Sequence, residues 1–142
     1  MAPSDQGEGD LYVGLDIGGT KFIVASADGQ GKITDRAQEA TPPGLKSGLN
    51  ALHRMIGAVS RGRKVTAIGA AIGGPLDWKR GVVSPLHQPQ WREVPLKAIM
   101  EARWGCPFVV DVDTNVAAVG NIITALMGAV AMAKHGFEGV CS

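Results

Sequence analysis

The chain has 142 residues, 45% of them apolar, with a formal net charge of +1 at pH 7. That composition suits one globular domain with its own core, and excludes a disordered or fibrous chain. Acids and bases are dispersed and aromatics are few, which argues against the clustered basic surface of a nucleic-acid binder. The two cysteines, Cys106 and Cys141, have no neighbouring Cys or His at metal-ligand spacing and are expected to be free thiols in a reducing compartment.

Residues 1–10 are polar and acidic. They lack the basic start and apolar centre of a secretory signal and read as a disordered leader. Leu11 to Ala27 is the chain's most informative stretch. An apolar run ends in Asp16, Gly18 and Gly19 make a tight turn, Thr20 and Lys21 follow, and a second apolar run leaves from Phe22. This predicts two strands joined by a turn in which Gly supplies φ > 0. Closely spaced backbone N–H groups in such a turn can close on anionic oxygens. Thr20 adds a hydroxyl, Lys21 a cation, and Asp16 a carboxylate suited to a hydrated Mg²⁺. The plainer alternative is a hairpin with a solvated Asp and Lys. The spacing matches neither the Walker pattern nor the dinucleotide fingerprint.

Residues 28–31 predict a turn, and residues 32–39 a third strand that completes a meander. Pro42-Pro43 breaks the pattern. Leu45, Leu49, Leu52, Met55, Ile56 and Val59 recur at helical spacing, and Arg61-Gly62-Arg63-Lys64 is expected to end the helix with a Gly and cations that suit its dipole. Residues 65–72 are nearly all apolar, as in a strand buried on both faces. They run into Gly73-Gly74-Pro75, at the strand end where α/β sheets bind ligands. Residues 78–89 read as loop, with a short strand near Val82, and Trp78 and Trp91 as packing residues of that loop. A helix with Pro95 in its first turn runs to Trp104 and stops at Gly105. Residues 106–111 form another buried strand, followed by Asp113, Thr114 and Asn115 at the start of a helix. Asp113 or Thr114 in that position also reads as a simple N-cap.

Asp16-Ile17-Gly18-Gly19-Thr20-Lys21 resembles the first phosphate motif of the ROK family of bacterial sugar kinases and repressors, within the actin-like, hexokinase and Hsp70 ATPase superfamily. Asp113-Thr114-Asn115 is similar to the Asp-x-Asn that follows in family members before a run of Ala, and the Gln90-Trp91 and Val94-Pro95-Leu96 segments are also family-like. The resemblance implies an α/β, RNase H-like domain: an antiparallel three-strand meander, then parallel strands with flanking helices. It implies ATP-dependent phosphorylation of a hexose hydroxyl in the cytoplasm. Asp16, Gly18, Gly19, Thr20 and Lys21 would serve the ATP phosphates, with Asp16 holding Mg²⁺ through water. Asp113 would be the general base, and Gly74, Asp113 and Asn115 would meet the sugar. Family members are often dimers or tetramers, so a homodimer stays open. No nucleic-acid or membrane partner is expected.

Two departures from the family pattern stand out, the first bearing on the sugar and the second marking where the resemblance starts to fail. Val112 stands where many members have Asn, and Asn121 where they usually have Glu. By this reading the resemblance covers residues 11–120, and residues 121–142 form an atypical apolar tail. The family's second domain is not seen in the sequence, nor is its Cys/His zinc motif, so zinc is not expected. Residues 114–133 carry no charge and approach the length of a membrane span. Their Asn, Thr, Gly and Ala content instead predicts a buried interdomain helix with its apolar face uncovered. Competing readings are a non-catalytic half-domain that binds sugar or a partner chain, a repressor-derived fragment (disfavoured by the missing helix-turn-helix), and another actin-like kinase such as an acetate kinase.

Overall fold

The computed structural model describes residues 9–73, 76–77, 79–85, 90–112, 120 and 122–128. Strands β1 (Tyr12–Ile17), β2 (Lys21–Ala27) and β3 (Ile33–Ala40) form the expected antiparallel meander, with a bulge at Ser26/Ala27. Helix α1 (Leu45–Ser60) follows, then β4 (Ala67–Ile72), which returns parallel to β1. Strands β5 (Leu76–Asp77), β6 (Val82–Val83) and β7 (Val94–Pro95) make a small separate antiparallel sheet. Helix α2 (Leu96–Trp104) then leads to β8 (Phe108–Val112), parallel to β4. The main sheet has the order β3-β2-β1-β4-β8, the meander-then-parallel arrangement expected of an RNase H-like domain.

Alternation along β1 sorts its residues onto two faces. Val13, Leu15 and Ile17 enter the main core with Phe22, Val24, Ile68, Ile72, Phe108 and Val110, under the α1 residues Leu52, Met55, Ile56 and Val59. Trp91 belongs to this core, as expected: it meets Phe22 edge to face with ring centroids 6.3 Å apart, and is 1% exposed. It packs over Gly48 of α1, where an added Cβ would lie 2.7 Å from its ring.

The other face is built from small residues, Gly14, Ala25, Ala27, Ala67 and Gly69. Residues 122–128 are helical and sit on it. Ile123 packs with Ile23, Ala25 and Ala27, and Leu126 with Tyr12 and Ala67. The expected uncovered apolar face is therefore corrected for this segment, because its own sheet covers it: Ile122, Ile123 and Leu126 are all buried. The approach is close. A Cβ at Gly14 would lie 2.8 Å from Ile123 Cγ1, and one at Gly69 2.9 Å from Ile122 Cγ1.

Several local expectations change. The first strand after α1 begins at Ala67, β5 lies where a turn was expected, and β7 takes in Pro95, expected in a helix, because a two-residue strand carries no periodicity. Helix α1 ends at the expected stretch, on Arg61, which is itself left-handed (φ 53°) and donates its N–H to the Gly57 carbonyl at 3.2 Å. The cations do not cap the dipole; no basic residue lies in the last turn. Instead the Arg61 guanidinium reaches Asp35 on β3 at 2.7 Å, and Arg54 pairs with Glu39 on the same strand. Such exposed pairs add little stability but align helix and strand. Pro95 is the residue before α2 rather than part of its first turn, whereas Gly105 stops the helix as expected, left-handed at φ 66° with its N–H on the Glu101 carbonyl.

Helix α2 is tied to its neighbours by side chains. Glu101 accepts from the Phe108 N–H (3.1 Å) and from Lys97 (2.7 Å), and Lys97 also donates to the Phe108 carbonyl (3.0 Å). This fixes the start of β8. Trp104 Nε1 donates to His53 Nδ1 of α1 at 3.1 Å. Cys106 is a buried free thiol, pushed up to about 11 by burial and by the nearby Glu101 carboxylate. Among the described residues, no helix is long and apolar enough to cross a membrane.

Two predictions follow from this packing. Gly14→Val forces side-chain carbon against the stiff, β-branched Ile123, and lowers unfolding stability in chemical denaturation by about 1–3 kcal/mol. His53 is held in its neutral form, its pKa lowered by burial and by the Arg103 cation. A lowered folded pKa means that the unfolded chain takes up the proton first. Stability is therefore level above the ordinary histidine pKa of about 6.5, and falls as pH drops below it toward the folded value. His53→Asn keeps an acceptor for Trp104 but cannot titrate. Denaturation at pH 7.5 and pH 5.5 shows a smaller loss in this variant than in the native chain.

Candidate functional site

The β1–β2 register ends at the pair Ile17 and Phe22, leaving Gly18 to Lys21 to turn the chain. The Gly18 N–H donates to the Lys21 carbonyl at 3.1 Å. Neither Gly18 nor Gly19 has the left-handed φ expected of this turn. The need for glycine at position 18 is steric instead: a Cβ there would lie 2.9 Å from the Lys21 carbonyl oxygen. Gly19, Thr20 and Lys21 are exposed. The Thr20 carbonyl accepts from the Thr41 N–H (2.9 Å), and the Gly18 carbonyl from the Thr41 hydroxyl (2.7 Å). Thr41 was not among the residues singled out in the sequence. Its signal was the pairing of β2 with β3, which brings it opposite Thr20.

Asp16 lies one residue before the end of β1 and is half-buried. It shares a register row with Ile23 on β2 and Ala71 on β4, on the small-residue face. A half-buried carboxylate beside an exposed turn is the hard oxygen donor that a water-bound Mg²⁺ uses. Among the described residues, no group of three His, Cys, Asp or Glu gathers to hold a metal by itself.

The parallel strands decide what else comes near. Ile17 pairs with Ile72, and Ile72 with Val112. These residues end β1, β4 and β8, so the three strands finish in one row, at one edge of the sheet. The glycine turn leaves from the first, Gly73 from the second, and Asp113 is next in the chain after the third. That is the carboxyl-end crevice where open α/β sheets take ligands. Gly74, Asp113 and Asn115 themselves lie outside the described residues. The helical segment 122–128 runs away from this edge, because Ile122 and Ile123 lie at the Gly14 and Gly69 row and Leu126 at the row of Tyr12 and Ala67. A cavity of about 390 Å³ lies at the opposite edge, between Asp10, Lys64, Thr66 and Cys106, and includes none of the expected site residues.

The comparisons with known proteins agree with this fold. The chain is 34% identical over 111 residues to the glucokinase of Streptomyces coelicolor, a match covering 78% of this chain and 35% of that protein. Among solved structures it resembles a ROK family glucokinase from Streptomyces griseus in complex with glucose and AMPPNP (TM-score 0.65, 38% identity, 76% of this chain and 35% of that one). It also resembles the ROK hexokinase of Thermus thermophilus (TM-score 0.67, 34% identity, 76% and 37%). The chain thus spans about a third of the length of these relatives. The ROK family model matches residues 12–132, running from the first strand through the glycine turn and the parallel strands to beyond the helix that covers the sheet, and the chain belongs to the ROK family.

Proposed function

We propose that this chain supplies the first-phosphate and general-base side of an ATP-dependent hexose kinase working in the cytoplasm. One observation carries the reading: the common edge formed by Ile17, Ile72 and Val112, which brings together the glycine turn and the chain position of Asp113. Family membership and the resemblance to glucokinases support the same reading.

Phosphoryl transfer asks a protein mainly for positioning and charge stabilisation, with one carboxylate to orient and deprotonate the nucleophile. In this reading the Gly19 backbone N–H and the Thr20 hydroxyl receive ATP phosphate oxygens, Gly18 shapes the turn that presents them, and Lys21 adds a cation beside them. Asp16 holds the Mg²⁺ through water. When bound, the ion offsets phosphate charge. Asp113 accepts the proton of the attacking sugar hydroxyl, while Asn115 and the Gly74 backbone orient the ring.

Calorimetric titration of the chain with Mg-ATP and with a panel of hexoses, beside a coupled ADP-release assay, tests this assignment. Lys21→Ala weakens Mg-ATP binding by about tenfold, the scale of one charge-assisted contact, and leaves hexose binding unchanged; equal losses on both ligands would remove Lys21 from the phosphate side. Asp113→Asn lowers hexose-dependent ADP release by about 10²–10⁴-fold, the usual contribution of a general base, with hexose affinity kept within about twofold. An unchanged rate in Asp113→Asn would rule out the base assignment.

A further inference from the structure

We propose that Thr41 is the positioning residue of the phosphate turn, a role that rests on the reading of the Gly18–Lys21 turn as a phosphate loop. The β2–β3 ladder closes with Lys21 opposite Ala40. The next residue out on each side is Thr20 on one and Thr41 on the other. Thr41 makes two hydrogen bonds there. Its backbone N–H takes the Thr20 carbonyl at 2.9 Å, and its hydroxyl takes the Gly18 carbonyl at 2.7 Å.

The consequence follows from peptide geometry. In a planar trans peptide the C=O and the next N–H point in opposite directions. Holding the Gly18 carbonyl toward Thr41 therefore aims the Gly19 N–H away from it. Holding the Thr20 carbonyl does the same for the Lys21 N–H. Among the described residues nothing accepts from the Gly19 N–H, and Gly19 is exposed. A carbonyl swung outward in this turn would repel an anion and take the donor with it. Thr41 prevents that swing at both peptides, without itself facing the ligand. Only its hydroxyl bond depends on residue type, since any residue except proline supplies the N–H.

Thr41→Val removes the hydroxyl and keeps the β-branched shape; Thr41→Ser keeps the hydroxyl. The ¹⁵N-labelled chain is titrated with inorganic tripolyphosphate and with Mg-ATP, following the Gly19 and Lys21 amide resonances, with a thermal melt of each variant. In the native chain both resonances shift and saturate. In Thr41→Val the midpoint rises about three- to tenfold, the scale of one lost neutral hydrogen bond; Thr41→Ser returns it to within about twofold of native, and the melts stay alike. Native-like titration of Thr41→Val overturns the role of Thr41 and leaves the phosphate turn standing. Absence of shifts at Gly19 and Lys21 in the native chain overturns the phosphate reading, and this proposal with it. Should Thr41→Val fail to fold, Thr41→Ala takes its place in the titration. Failure of both to fold assigns the hydroxyl to stability and overturns the proposal.

Discussion

Strand β1 is paired along all six of its residues on both sides, antiparallel to β2 and parallel to β4, and the rest of the structure depends on that double register. A slip of one residue against either neighbour would exchange its large and small faces. It would also move the glycine turn off the row where β4 and β8 end. The same six residues thus fix the core, the seat of the covering helix and the edge at which ligand chemistry is expected.

The two faces solve the covering problem differently. On one, bulky side chains from four strands interlock with α1, and Trp91 is brought in from a distant loop to fill the space left over Gly48. On the other, glycine and alanine let the 122–128 helix approach so closely that isoleucine side chains fill the missing Cβ positions at Gly14 and Gly69. Close packing of this kind leaves little slack.

Support for β8 is mostly polar. Lys97 and Glu101 hold the Phe108 peptide groups, Gly105 turns the chain out of α2, and the His53–Trp104 bond ties α2 back to α1. The strand that leads to Asp113 is consequently braced at its start by a helix which is itself fastened to the core. Thr41 plays the corresponding part at the glycine turn, where the β2–β3 ladder stops at Lys21 and Ala40 and the Thr41 bonds reach the Thr20 and Gly18 carbonyls.

Much of this was legible in the chain. Alternation and apolar runs located the strands of the main sheet, helical spacing located α1, and Gly105 marked the end of α2, because each depends on residues close in sequence. The Asp16–Lys21 motif carried the family, and Trp91 was correctly read as a packing residue. What stayed hidden depends on residues distant in sequence. Two-residue strands have no period to detect. The left-handed Arg61 is drawn toward Asp35, 26 residues away. Gly18 is required because a carbonyl crowds it rather than because of its φ, and the apolar stretch at 122–128 looked uncovered until Gly14 and Gly69 made room beneath it. Local pattern by itself determined the main-sheet strands, helix α1 and the glycine turn after β1, since side-chain period and turn chemistry act within a few residues. Only the tertiary structure decided that β1, β4 and β8 end in one row and that Thr41 meets the turn, because register between strands is set by the packing of whole faces.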